Sequence, residues 1–231
     1  MPNDIIYILK EHLDTDELKY SLRSIEKNFP HRKVWFVGNG QPEGLRPDVA
    51  LSHKQTGKNK WDLIRSSMWK AVNEEELSEN FFLFNDDFFV MKPFKKKFVN
   101  YVDGTLERRI QELHQEQHGL TAYTRTLFKL QQELLYLKEP TMNYDVHLPM
   151  LLNKGQVISS IFKCSSPQMR SAIGNLNHLP YVVHPDVKVY DLESVPEDET
   201  FLSTNDKTFD NGKVGEYIRD TFNKPSRFEV D

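Results

Sequence analysis

The chain has 231 residues, 38% of them hydrophobic and 12% aromatic, enough to bury the core of one ordinary domain. A formal charge of -4 argues against a surface built for duplex nucleic acid, though it leaves room for a local basic cleft around a diphosphate. The single cysteine, Cys164, excludes an internal disulfide and any multi-cysteine zinc site. Its flanks, Phe162-Lys163 and Ser165-Ser166-Pro167, hold no nucleophile signature, so an inert thiol is expected. The N-terminus enters a strand-like run without the features of a signal peptide, and no apolar run approaches the ~20 residues that span a bilayer. These features predict a soluble cytoplasmic protein with no membrane span.

In chain order, residues 4–9 form an apolar run of strand length, the pattern of a strand covered on both faces. Residues 16–28 then read as a helix, with Leu18, Leu22 and Ile25 on one face and Pro30 closing the unit. Residues 34–37 form a second buried strand, stopped by Gly38-Asn39-Gly40. Strand, helix and strand in about 35 residues make a βαβ unit, which predicts an α/β fold with a parallel sheet. Residues 60–72 are the next helix, with Trp61, Ile64, Met68 and Val72 on one stripe. A third buried strand, residues 81–84, runs directly into Asn85-Asp86-Asp87 and then Phe88-Phe89-Val90.

The alternation of strands and helices stops there. Residues 105–138 turn to Glu, Gln, Arg, Leu and His and read as two helices, 105–118 and 120–138, broken at Gly119. Leu127, Leu130, Leu134 and Leu137 give the second helix an apolar face for core packing. This region is expected to be a helical insertion beside the sheet of one domain, residues 1–231. Beyond Pro140 the pattern is mixed, with short strands expected at 182–183 and 187–190 and a short helix at 215–222.

The Asn85-Asp86-Asp87 triplet carries most of the chemistry. Open parallel sheets bind ligands at the carboxyl ends of their strands, where loops diverge. Carboxylates placed there are hard oxygen ligands suited to Mg²⁺ or Mn²⁺, which keep open positions for phosphate oxygens. Such a cation neutralises a diphosphate leaving group. The competing reading is a surface turn, but Phe84 and Phe88 flank the triplet with no Gly or Pro between them. A P-loop, a dinucleotide-binding glycine motif, a His-Glu-x-x-His motif and a Gly-x-Ser-x-Gly elbow are all absent.

Residues 18–30, Leu-Lys-Tyr-Ser-Leu-Arg-Ser-Ile-Glu-Lys-Asn-Phe-Pro, with the strand that follows, closely resemble a signature block of the Stealth family. These are bacterial capsular polysaccharide phosphotransferases, related to the animal phosphotransferase that tags lysosomal enzymes. Residues 79–89, Glu-Asn-Phe-Phe-Leu-Phe-Asn-Asp-Asp-Phe-Phe, resemble the family's second block, in which a strand delivers an Asn-Asp-Asp triplet. Val146-His147-Leu148-Pro149-Met150 and Ser203-Thr204-Asn205-Asp206 are similar to two shorter, later motifs. The chain departs from the family at its start, where Tyr7-Ile8-Leu9-Lys10 stands in place of a longer block with Trp, Asp and Gly. It also resembles short phage-encoded glycosyltransferases with a GT-A-like nucleotide-diphospho-sugar fold.

The resemblance implies that Asp86 and Asp87 hold the Mn²⁺ or Mg²⁺ while Asn85 orients the cation or the donor. His147 becomes the candidate general base or acid, against the alternative of a hydrogen-bonded core histidine. Arg170 could stabilise charge building on the phosphate. Arg23, Lys60 and Arg65 are candidate diphosphate contacts, each with solvated surface charge as its alternative. Asn205 and Asp206 could supply a second face of the metal or acceptor site, or form a loop turn. The remaining histidines show no ligand spacing, and Lys95-Lys96-Lys97 reads as a solvated face.

The expected function is metal-dependent transfer of a sugar from a nucleotide-diphosphate donor, a UDP-sugar first, to a hydroxyl acceptor on a polysaccharide, a protein or modified nucleic acid. The alternatives are transfer of hexose 1-phosphate and a non-catalytic carbohydrate-binding module.

Overall fold

A computed structural model describes residues 2–10, 15–38, 42–53, 60–116 and 120–230, with the side chains of Thr15, Lys60 and Trp61 outside that description. In chain order the first half comprises β1 (Asp4–Leu9), α1 (Thr15–Asn28), β2 (Val34–Gly38), β3 (Val49–Ser52), α2 (Lys60–Val72), β4 (Asn80–Phe84), β5 (Phe88–Val90), β6 (Asn100–Val102) and α3 (Leu106–Glu116). The second half comprises α4 (Ala122–Tyr136), β7 (Met150–Asn153), α5 (Lys154–Lys163), α6 (Met169–Leu176), β8 (Tyr181–Val183), β9 (Phe201–Ser203), α7 (Asp206–Asn211) and α8 (Lys213–Thr221).

The main sheet has the order β3-β2-β1-β4-β7, with β3, β2, β1 and β4 parallel and β7 antiparallel on the edge. Successive residues of a strand point to opposite faces. Ile5, Tyr7 and Leu9 therefore pack with Leu18, Leu22 and Ile25 of α1, while Ile6 packs with Met68, Ala71 and Val72 of α2. This is why β1 reads as an unbroken apolar run: it is covered on both sides. Asp4 opens that run because Arg32, Trp35 Nε1 and the Ser78 backbone amide all donate to its buried carboxylate. At the far end, Gly38 (φ +150°) brings β2 against β1, where a Cβ would lie 2.0 Å from the Leu9 carbonyl oxygen.

Strand order reverses about β1, with β2 and β3 to one side and β4 and β7 to the other. The carboxyl ends of β1 and β4 are thus neighbours at a topological switch point. Lys10 follows one and the acidic triplet follows the other. A second small sheet pairs β5 with β9 in antiparallel register, Phe88 opposite Ser203, and so folds residue 203 back over the triplet.

The two helices expected in 105–138 are α3 and α4; Gly119, their expected break, lies outside the described residues. They pack on each other and on α6 through Leu106, Leu113, Leu127, Leu130, Leu134, Ala172 and Leu176. Leu137 departs from the expected stripe, because the helix ends at Tyr136 and leaves Leu137 exposed as its cap. Beyond Pro140, where only short strands and one short helix were expected, β7, α5 and α6 also form. β7 feeds directly into α5, whose first amides donate to the Asn153 side chain. The expected strand at 187–190 is an extended segment tied to Ser203 by one bridge, and β8 covers 181–183. No helix among the described residues is long and apolar enough to cross a membrane.

Candidate active site at the carboxyl ends of β1 and β4

The aromatic strand β4 ends in a tight turn in which the Phe88 amide donates to the Asn85 carbonyl at 3.3 Å. Asn85 projects into solvent, whereas Asp86 and Asp87 are half-buried. Asp87 Oδ2 accepts from Lys188 Nζ at 2.8 Å and from Ser203 Oγ at 3.2 Å. Its other oxygen, Oδ1, is buried with no hydrogen-bond partner among the described residues. Burial, and then the charge of Asp87, push the Asp86 carboxyl above the usual aspartate range, partly offset by Lys10 and Lys188.

A third carboxylate joins them from α1. Glu17 is 9% exposed and accepts a 2.6 Å hydrogen bond from Thr204 Oγ1. Burial, followed by the charges of Asp87, Asp86 and Asp206, pushes it up to about 7. Behind this cluster, Tyr7 Oη and Ser21 Oγ are 2.8 Å apart, and Ser21 Oγ donates to the Phe88 carbonyl. β1, α1 and β5 are thereby locked together under the turn.

His147 approaches from the other side. Its Nδ1 lies 2.6 Å from Asp186 Oδ2, and its backbone amide donates to Asp186 Oδ1 at 3.0 Å. Burial alone would raise the Asp186 carboxyl, but the bonds and charge from His147 outweigh it and hold it below the usual range. Asp186 and Lys188 are two residues apart on an extended segment, so they point to the same side about 7 Å apart. One touches His147 and the other Asp87, which brings the histidine and the acidic turn to a single site. A cleft of about 400 Å³ is lined by Asp186, Lys188 and Tyr190 among other residues between 184 and 199, and Asp86, Asp87 and His147 are not part of its lining.

Arg170 is packed in the interior. It is buried and donates to the carbonyls of Val146 and Leu148 at 2.8 and 2.7 Å, and to that of Leu83 at 3.2 Å. Burial lowers its pKa to about 10, with Asp145, Asp87 and Asp186 opposing. Arg170, expected to stabilise charge on the phosphate, positions the two residues flanking His147 against β4.

Arg23, Arg65 and Asn205 also have partners within the chain. Arg23, a candidate diphosphate contact, makes a bidentate pair with Glu229, at 2.8 and 2.5 Å, and donates to the Phe222 carbonyl at 3.0 Å, so its guanidinium closes the C-terminal segment onto α1. Arg65 donates to the carbonyls of Ile161, Cys164 and Ser166 and so satisfies the end of α5. Asn205 caps α7, accepting from the Thr208 amide at 3.0 Å, while Asp206 is exposed in that helix's first turn and reaches the site through its charge on Glu17. The side chain of Lys60 lies outside the described residues. Cys164 is buried, and burial followed by its contact with Glu133 pushes the thiol up to about 12, in keeping with an inert thiol. Lys95, Lys96 and Lys97 are exposed.

Glu17, Asp186 and Lys188 were not singled out from sequence. The alternation Asp186-Val187-Lys188-Val189 was the available signal, since polar residues alternating with buried valines place both charges on one side.

Among the described residues no group of three or more His, Cys, Asp or Glu side chains is arranged to hold a metal ion. The pair Asp86 and Asp87 nevertheless fits a hard divalent cation. Mg²⁺-type ions are commonly held by one or two carboxylates, with waters and substrate phosphates completing the shell. The unpartnered Asp87 Oδ1 and the raised Asp86 carboxyl are both relieved by positive charge.

No family model and no curated protein matches the chain. Among solved structures, it is similar to the glycosyltransferase GlyE of Streptococcus pneumoniae TIGR4, with a TM-score of 0.50 and 10% identity over 96% of this chain. The fold is GT-A-like. This chain spans 60% of the length of the GlyE structure. A 4-diphosphocytidyl-2C-methyl-D-erythritol synthase also aligns, with a TM-score of 0.39 and 12% identity over 86% of this chain and 96% of that one.

Proposed function

We propose that the chain is a divalent-metal-dependent glycosyltransferase that moves a sugar from a nucleotide-diphosphate donor to a hydroxyl acceptor. The observation that carries this reading is the buried Oδ1 of Asp87, which has no partner among the described residues, beside Asp86 at the switch point of a GT-A-like sheet. Asp86 and Asp87 would hold Mn²⁺ or Mg²⁺, which when bound neutralises the diphosphate leaving group. With Asp186 ionised, Nδ1 of His147 carries the proton and donates to it, leaving the Nε2 lone pair free to take a proton from the acceptor hydroxyl. Arg170 keeps that imidazole in register with β4 by gripping the carbonyls on either side of it.

A second reading is transfer of hexose 1-phosphate, as in the Stealth family. It is favoured by the position of the two blocks resembling that family, which form α1 and the β4–β5 turn, the two walls of the acidic cluster. In glycosyl transfer attack falls on the anomeric carbon and a nucleoside diphosphate leaves. In phosphotransfer it falls on the β-phosphorus and a nucleoside monophosphate leaves.

Incubation with UDP-sugars, Mn²⁺ and saccharide acceptors separates them: UDP is the expected product, and UMP would transfer the assignment to the second reading. Asp87→Asn should abolish Mn²⁺ binding and lower turnover at least about a hundredfold. Release of neither nucleotide, with Mn²⁺ binding unchanged in Asp87→Asn, would overturn the enzyme reading.

A further inference from the structure

We propose that Lys188 is the resident counter-ion of the acidic site, which the divalent cation displaces from Asp87 and which then pairs with the diphosphate of the donor. This rests on the reading of the site given above. Lys188 Nζ is 2.8 Å from Asp87 Oδ2, and the two side chains are only 15% and 13% exposed. Its backbone is fixed, since the Val189 amide donates to the Ser203 carbonyl at 2.8 Å and the Ser203 amide to the Val187 carbonyl at 3.3 Å. Only the four-carbon stem is free to swing.

The charges facing the ammonium make the exchange necessary. Asp87 contacts it directly, and Glu17 acts on it electrostatically. Lys188, and Lys10 from the end of β1, partly offset the upward push that burial and Asp87 exert on the Asp86 carboxyl. A half-buried carboxylate with one orphaned oxygen is expensive without a cation nearby, and in the free protein Lys188 is that cation. A divalent ion on Asp86 and Asp87 would bring a double positive charge within a few ångströms of the ammonium. The two cannot share Asp87 without strong repulsion. The diphosphate arriving with the metal offers the ammonium a new anionic partner within reach of its stem.

Metal and nucleotide binding are therefore coupled through one side chain. The metal alone must evict Lys188 from Asp87 without bringing it a new anion, whereas with the nucleoside diphosphate present the eviction is compensated. By linkage, each ligand strengthens the other by the same factor.

Calorimetric titration of Mn²⁺, alone and with saturating UDP, tests this on the wild type, Lys188→Met, Lys188→Arg and Asp87→Asn. UDP should tighten Mn²⁺ on the wild type by about tenfold or more. Lys188→Met should bind Mn²⁺ alone about tenfold more tightly than the wild type and lose most of the enhancement by UDP. Lys188→Arg, which keeps the charge, should behave as the wild type, separating charge from packing. Equal Mn²⁺ affinity for the wild type with and without UDP would overturn the proposal even if Lys188→Met fails to fold. Mn²⁺ binding lost in Asp87→Asn but unaltered in Lys188→Met would overturn the counter-ion role alone. Absence of Mn²⁺ binding in every protein, with or without UDP, would overturn both this role and the metal-dependent reading of the site.

Discussion

Replacing Glu17 with Gln should remove a pH-dependent weakness of the folded state. Gln keeps the oxygen that accepts from Thr204 Oγ1 but has no charge to bury. The carboxyl rises from 4.5 to about 7 on folding, first through burial and then through Asp87, Asp86 and Asp206. The folded protein therefore holds this proton where the unfolded chain has released it. Its stabilising effect is complete below pH 4.5 and is lost as pH rises through about 7. At 1.36 kcal/mol per pKa unit the full change is roughly 3 kcal/mol, and physiological salt screens the part contributed by the acidic neighbours, leaving about 2–3 kcal/mol.

Carboxylates held below their usual range, including Asp4, Asp48, Asp186 and Glu229, act in the opposite sense. Their stabilisation is present above their unfolded values near 4 and is lost only in more acid solution, and it is common to both proteins. Urea denaturation between pH 4.5 and 8 in EDTA should thus show the two proteins nearly equal at the acid end, with the Gln variant ahead by about 2–3 kcal/mol at pH 8. Stability curves that run parallel across the whole range would refute the assignment of a buried, protonatable carboxyl to this position.

Arg170→Met should destabilise by about 3 kcal/mol or more, because the carbonyls of Leu83, Val146 and Leu148 lose a buried donor; urea denaturation measures it. A loss under 1 kcal/mol would mean that water replaces the guanidinium there. Asp186→Asn keeps an acceptor for the His147 amide but turns an N–H toward Nδ1, forcing the ring proton onto Nε2. Turnover in the nucleotide-release assay should fall about a hundredfold with little change in donor KM, whereas a purely structural role would move stability and leave turnover of the folded fraction intact.

The half of the fold that could be read from sequence is the half whose burial is local. β1, β2 and β4 are covered on both faces, so each is a continuous apolar run, and α1 shows one stripe because one face meets the sheet. Asp86 and Asp87 stood out for the same reason: carboxylates between phenylalanines are an anomaly visible over a few residues. Arg23 and Arg65 could not be placed that way, because their partners are Glu229 and the carbonyls at the end of α5, roughly 100 to 200 residues distant. Lys188 is the sharpest case. It meets Asp87 only because the three-residue strand β9 pairs with β5 in the register that sets Ser203 opposite Phe88, and residues 187–189 then pair with Ser203. Strands that short carry almost no periodicity, and a shift of one residue would turn the lysine to the other face of its segment. A carboxylate pair that is unfavourable to bury can be detected where it stands in the chain. The cation that answers it belongs to the register of two distant strands, and so becomes visible only in the folded molecule.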